Sequence, residues 1–145
     1  MTDKTTRNWS MADVSGKDAT HRIALASGKI EIGPEAMRLL QEGALPKGDP
    51  LPMAEIAGIQ AAKKTPSLIP LCHPISLNRV MVQSIPRPEE NLVEVFVAAE
   101  IAERTGVEME ALTGLQVALL TIWDLVKPVN AALKISDCRL LYKSG

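Results

Sequence analysis

Between Ser67 and Ser76 the chain reads Ser-Leu-Ile-Pro-Leu-Cys-His-Pro-Ile-Ser, which sets an imidazole and a thiol between two prolines. Proline disfavours the α region for the residue before it, so Ile69 and His73 are expected to be extended and the run non-helical. An imidazole held on so stiff a backbone suits a site that must keep a ring still while a proton moves. Asp124 and Lys127 stand three apart in a helical pattern and are expected to meet. As a surface pair they would be worth about 0.2–0.5 kcal/mol. In a site they would be an acid/base pair, with the lysine tuned by desolvation or by neighbouring cations. Glu110 lies about 40° from Asp124 on a helical wheel, yet fourteen residues of helix separate the two by about 21 Å. One small ligand hardly spans that distance. Either the two carboxylates serve separate sites, or two subunits each lend one end of this helix to a shared site, which favours an oligomer.

Other candidates carry a plainer reading beside the chemical one. Lys47-Gly48-Asp49 precedes a helix start, a place that favours anions, although Pro50 and Pro52 remove two of the amides that would bind one. Arg22, Lys17 and Lys63-Lys64 either join it as a phosphate cluster or are solvated surface charges. Cys72 reads as a small buried hydrophobe, because nothing nearby in sequence argues for a depressed thiol pKa. His21 reads as structural. Glu108 is expected to serve as the capping carboxylate of Thr105-x-x-Glu108 and so to stand outside the site.

The elements that must position these groups read as α+β. Of the 145 residues, 46% are hydrophobic and only 3% aromatic, so one domain with an aliphatic core is expected. The net charge of −1 gives no bulk attraction to nucleic acid or to an acidic membrane, and the scarcity of aromatics removes the stacking platforms of single-strand binders. The two cysteines are too few for a disulfide framework and read as reduced thiols in a cytoplasmic protein. No CxxC or HxxxH spacing suggests a metal site. The N-terminus lacks the apolar core of a signal peptide, and the longest apolar stretches are expected to fall short of a membrane span.

Residues 1–22 read as a polar arm and 23–145 as a single α+β domain. His21–Ile32 is expected to be a strand, Pro34–Gln41 a short helix stopped by Gly43, and Met53–Lys64 a small-residue helix capped by Asp49. Val80–Ile85 and Leu92–Ile101 alternate and read as an antiparallel hairpin. The longest helix is expected over Gly106–Val126, with Leu112, Leu115, Leu119, Ile122 and Val126 as its apolar stripe. A strand over Ile135–Tyr142 closes the chain. Helices packed on one face of a mainly antiparallel sheet follow.

Taken in order, several stretches resemble the cyclic pyranopterin monophosphate synthase family of molybdenum-cofactor biosynthesis. They are Asp13–Lys17, Lys47-Gly48-Asp49, Ile56–Thr65, Leu68–Pro74, Thr105–Thr113 and Leu120–Lys127, and they run in family order over nearly the whole chain, the resemblance extending from about residue 11 to its end. The resemblance implies a ferredoxin-like fold and a hexamer built as three dimers, with the active site at the dimer interface. It also implies a lyase reaction: 3′,8-cyclo-7,8-dihydro-GTP rearranges to cyclic pyranopterin monophosphate with release of pyrophosphate. Carried over by position, Asp124 is the acid/base residue, Lys127 its partner, and Lys47 a cation of the catalytic group. Leu71, Cys72, His73, Met109 and Glu110 match the substrate-holding segments, and Arg22, Lys17, Lys63 and Lys143 match basic positions facing the triphosphate. No redox cofactor is implied; whether Mg²⁺ accompanies the triphosphate stays open. Glu55 departs from the pattern, standing where many relatives carry arginine, and so do Pro50, Pro52 and Trp123.

Two other classes compete. A non-catalytic pterin- or nucleotide-binding homologue would keep the scaffold but has no need of an Asp–Lys pair. A structural assembly protein would be indifferent to GTP analogues.

Overall fold

Twelve alternating residues from Thr20 to Glu31 form β1, which runs through the middle of a four-stranded sheet. The computed structural model describes residues 10–16 and 20–145. After β1 come α1 (Gly33–Glu42), α2 (Pro50–Lys63), the one-turn α3 (Thr65–Leu68), β2 (Arg79–Arg87), β3 (Leu92–Glu103), α4 (Glu108–Val126) and β4 (Lys134–Ser144). The sheet order is β2-β3-β1-β4, and every pairing is antiparallel. This is the split β-α-β-β-α-β arrangement of a ferredoxin-like fold.

The period of two in β1 and β3 decides which face is covered. Ala24, Ala26 and Ile30 stand opposite Ala99, Val97 and Val93 in the ladder, and all six are fully buried. Above them lies α4, whose Leu115, Leu119, Ile122 and Val126 are also fully buried. In length and composition α4 would pass for a membrane-spanning helix. The expectation that no apolar stretch reaches that length is therefore corrected. Here the helix serves as the central helix of the core, which accounts for its hydropathy equally well.

Close approach is made possible by glycine. A Cβ on Gly28 would lie 2.9 Å from the Cys138 sulfur and 3.0 Å from a Leu119 methyl. Where α2 crosses α4, a Cβ on Gly114 would stand 2.9 Å from the Gly58 carbonyl oxygen, and one on Gly58 3.1 Å from the Gly114 oxygen. The small-residue character of α2 is thus the surface against which α4 rests.

Local signals place most boundaries. Asp49 caps α2 by accepting a hydrogen bond from the Leu51 amide (3.0 Å), with Pro50 in the first turn. Gly43 ends α1 in the left-handed region (φ 65°), its amide bonding back to the last turn. Asn91 (φ 53°) closes the β2–β3 hairpin after a single 3₁₀ turn over Pro88–Glu90.

Two expectations are corrected. α4 begins at Glu108 and not at Gly106, with Val107 as a cap residue that makes no side-chain bond, so Thr105-x-x-Glu108 is not a capping box. The run from Ser67 is not wholly non-helical either: Ser67 and Leu68 complete α3, and the chain becomes extended only at Ile69 (φ −110°, ψ 107°). Pro66 explains this, since it sits in the first turn, where a missing amide costs nothing.

Candidate active site

The connector after α3 and the start of α4 face one another across a cleft of about 210 Å³ lined by Leu71, Cys72, His73, Thr105, Gly106, Glu108, Met109 and Glu110, with Ala12 at its edge. All five residues matched to substrate-holding segments are therefore brought together. His73 donates its Nε2–H to the Ala12 carbonyl (2.6 Å), which holds the ring and leaves Nδ1 without a partner among the described residues.

Glu110 is buried at the first turn of α4. The Cys72 thiol donates to its Oε2 (3.6 Å). Burial pushes the Glu110 carboxyl above the usual carboxylate range, against the opposing pull of its backbone and Cys72 hydrogen bonds. Burial and the charge of Glu110 in turn push the Cys72 thiol up to about 11. A thiol so placed stays protonated at neutral pH and donates to Glu110 at the wall of the cleft.

Glu108 belongs to this cleft, where the sequence reading had excluded it. The helix starts at Glu108 itself, and its carboxylate receives Lys143 Nζ at 2.9 Å. Burial alone would raise the Glu108 carboxyl. Its own backbone amide, Lys143 and the charge of Arg22 outweigh burial and hold it below the usual value. Arg22 donates its Nε–H to the Glu103 carbonyl (3.1 Å). Arg22 and Lys143 thus gather at one edge of the cleft. The signal that would have found Glu108 was its place inside the Thr105–Thr113 match.

At the other end of α4 stands a second group. Asp124 Oδ1 receives Lys127 Nζ at 2.9 Å and Lys47 Nζ at 3.4 Å, and Lys47 also donates to the Asp124 carbonyl (3.2 Å). The Lys127 and Lys47 ammonium groups hold the Asp124 carboxyl below its ordinary range. All three side chains are about half exposed. The structure brings together Asp124, Lys127 and Lys47, as the sequence led one to expect, but places them along the helix from the cleft. Asp124 is fourteen residues from Glu110, about 21 Å along α4.

The remaining basic positions divide. Lys63 lies apart from the His73 cleft, on a second cleft with Arg79. Lys17 lies outside the described residues. Glu55, the charge reversal noted above, accepts hydrogen bonds from the Ser84 amide (2.9 Å) and hydroxyl (3.0 Å). It ties α2 to β2 and is spent on that tie.

Comparison with known proteins gives this geometry its family. The chain is 47% identical over 141 residues to the cyclic pyranopterin monophosphate synthase of Rhodospirillum rubrum, covering 97% of this chain and 85% of that protein. It is 47% identical over 135 residues to the protein of the same name from Pelotomaculum thermopropionicum, covering 93% and 79% respectively. For the Dinoroseobacter shibae protein of that name the identity is 44%, over 93% and 85%. The MoaC family profile matches residues 11–145, and the chain belongs to the MoaC family.

Proposed function

We propose that this chain is a cyclic pyranopterin monophosphate synthase, a lyase that converts 3′,8-cyclo-7,8-dihydro-GTP to cyclic pyranopterin monophosphate and pyrophosphate in molybdenum-cofactor biosynthesis. The observation that carries the reading is the Lys47–Asp124–Lys127 cluster, a carboxylate shared by two ammonium groups (3.4 and 2.9 Å), in a chain with relatives that bear this name.

Opening the five-membered ring of the base and reclosing it as a pterin moves several protons. Asp124, held ionised, accepts a proton; Lys127 and Lys47 each carry one to give. Their positive charge also stabilises oxygens that gain negative charge when an oxygen of the rearranged sugar attacks the α-phosphorus and the bond to the departing pyrophosphate breaks. The cleft of His73, Met109 and Glu110 holds the heterocycle. His73, fixed through Nε2, offers Nδ1 to the ligand.

Since the two groups lie about 21 Å apart along α4, one active site takes the cleft from one subunit and the Lys–Asp–Lys cluster from another. A hexamer of three dimers with sites at the dimer interface meets this need. Exposed apolar side chains on the surface, including Met53, Ile56, Leu120, Leu141 and Tyr142, support association with further copies. Two free thiols support a cytoplasmic enzyme.

The test is turnover of the cyclised GTP substrate, reading pyranopterin and pyrophosphate, with wild type beside Asp124→Asn and Lys127→Ala. Wild type is expected to form both products. Each variant should lose at least about a hundredfold in kcat, the scale of one general acid or base, and Asp124→Asn should still bind ligand. Ligand binding by wild type without any product would overturn the assignment in favour of a binding homologue. Indifference of its thermal stability to GTP analogues would favour an assembly protein.

A further inference from the structure

Three positive groups converge where β1, β4 and α4 meet. In the β1–β4 ladder Lys143 stands opposite Ala24, whose full burial puts the pair on the helix-bearing face of the sheet. Arg22, two residues before Ala24 on β1, shares that face. Arg22 and Lys143 are therefore diagonal neighbours, about 7–8 Å apart along the backbone, and repel as like charges. The N-terminus of α4, with its first-turn amides, adds partial positive charge. Glu108, the first residue of α4, lies among the three. Its Oε1 receives Lys143 Nζ at 2.9 Å. Although burial raises its carboxyl, its own amide, Lys143 and Arg22 outweigh that and keep it ionised. Its neighbour Glu110 is no substitute, since burial raises that carboxyl and Cys72 occupies it.

The Glu108 carboxylate is also seated by shape. Its Oε2 is buried and takes no hydrogen bond from another described residue. It rests against Gly106, where a Cβ would lie 2.9 Å from the Glu108 carboxyl carbon and nearer still to Oε2. No left-handed φ demands glycine at 106, so the missing side chain serves this seat.

We propose that Glu108, seated on Gly106, is the positioning residue of the cleft: it holds the Lys143 ammonium at the cleft edge against the repulsion of Arg22 and of the α4 N-terminus. The inference rests on the synthase reading only for what Lys143 meets there, the phosphates of the substrate. Lys143 is 47% exposed, and an ammonium on a flexible four-carbon stem otherwise turns to water. With the ammonium already in place, the ligand has less to order on binding. Glu108 thus works against its own charge. Loss of that charge alone would tighten the binding of a polyanion, whereas loss of the seat weakens it, so the sign of the effect separates the two roles.

The experiment measures KM and kcat for full-length wild type, Glu108→Gln, Gly106→Ala, Lys143→Met and the double variant of Glu108→Gln with Lys143→Met. Arg38→Ala, whose pairs with Glu35 and Glu42 lie on the exposed side of α1, is the control. Glu108→Gln should raise KM by at least about fivefold, with kcat within about threefold of wild type. Gly106→Ala keeps the charge but displaces it, and should move KM the same way. Its Tm should stay within about 3 °C of wild type, because what yields is the end of a flexible side chain. On the Lys143→Met background Glu108→Gln should cause no further loss, since a residue acting through Lys143 has nothing left to hold. Arg38→Ala should change neither constant. A KM that falls in Glu108→Gln, a fall in kcat alone, or an equal loss on both backgrounds would overturn the role while leaving the synthase reading intact. Acetylation of Lys143 by acetic anhydride in the unliganded protein, scored by peptide mass, needs no turnover. An ammonium must leave its partner before it reacts, so the rate should rise at least about threefold in Glu108→Gln and in Gly106→Ala. Should the wild type form no product, the synthase reading fails and this rate decides the role by itself. A faster rate in both variants sustains it, and an unchanged rate overturns it.

Discussion

Glu110 is 1% exposed, with the Cys72 thiol 3.6 Å from its Oε2, so its carboxyl holds its proton more tightly in the folded chain than in the unfolded one. A raised carboxyl pKa contributes stability that is complete below the ordinary value of 4.5 and is lost as pH rises through the folded value. Glu110→Gln, which cannot ionise, should therefore unfold about 3 °C or more above wild type near pH 8, with the gap closing toward pH 4. Thermal melts at several pH values check this, and a gap that grows toward acid would contradict it. Asp124 behaves oppositely: its carboxyl is depressed by two lysines, and it stays ionised across the neutral range. At this scale the sequence showed which residues are neighbours along the chain more readily than what each one meets across the fold. Asp124 and Lys127 were legible because i, i+3 spacing makes them neighbours on a helix. Glu108 was misread because its true partner, Lys143, is 35 residues away on β4.

Among the elements, α4 carries the most constraint: it closes the core below, meets α2 at its side and holds a cluster of charged side chains at each end. Its contact with α2 depends on Gly58 and Gly114, each lying against the carbonyl of the other. Gly114→Ala gains intrinsic helix propensity, worth about 1 kcal/mol, but drives a methyl to 2.9 Å from a backbone oxygen that has no easy way to yield. A net loss of about 1–3 kcal/mol is expected, read as a lower midpoint in urea denaturation with an unchanged slope. In the sequence Gly114 stands outside the apolar stripe of α4. Only packing shows that its side of the helix is buried against another helix. Glu55 offers the same lesson. Standing where many relatives carry arginine, it looked out of pattern, whereas in the fold it satisfies the amide of Ser84 on β2, a strand at the edge of the sheet.

For the whole molecule, the separation of the two groups along α4 makes a prediction about assembly. If the cleft and the lysine cluster of one site come from different subunits, variants defective in opposite halves should rescue each other. Mixing His73→Ala with Asp124→Asn after reversible dissociation should place both lesions in one site of a mixed dimer and leave its other site intact. With random exchange of subunits, about a quarter of the sites recover. Activity that returns on mixing, with neither parent active alone, is the expected result. No recovery, with exchange shown by native mass, would place each site within one chain.

The linear sequence determined the parts of this protein that depend on near neighbours. The alternation of β1, β2 and β3, the Asp49 cap, the Gly43 stop and the apolar stripe of α4 all arise from backbone periods and local sterics, which act within a few residues. From these the α+β class could be read, while the ferredoxin-like order was implied by the stretches that resemble the family. Tertiary structure alone decided which charges face one another. Lys143 meets Glu108, Lys47 reaches Asp124 across 77 residues, and Lys63 joins Arg79 in a cleft of its own. Those partnerships are set by how the sheet and helices pack, since electrostatic interaction follows distance in space, to which separation along the chain is no guide.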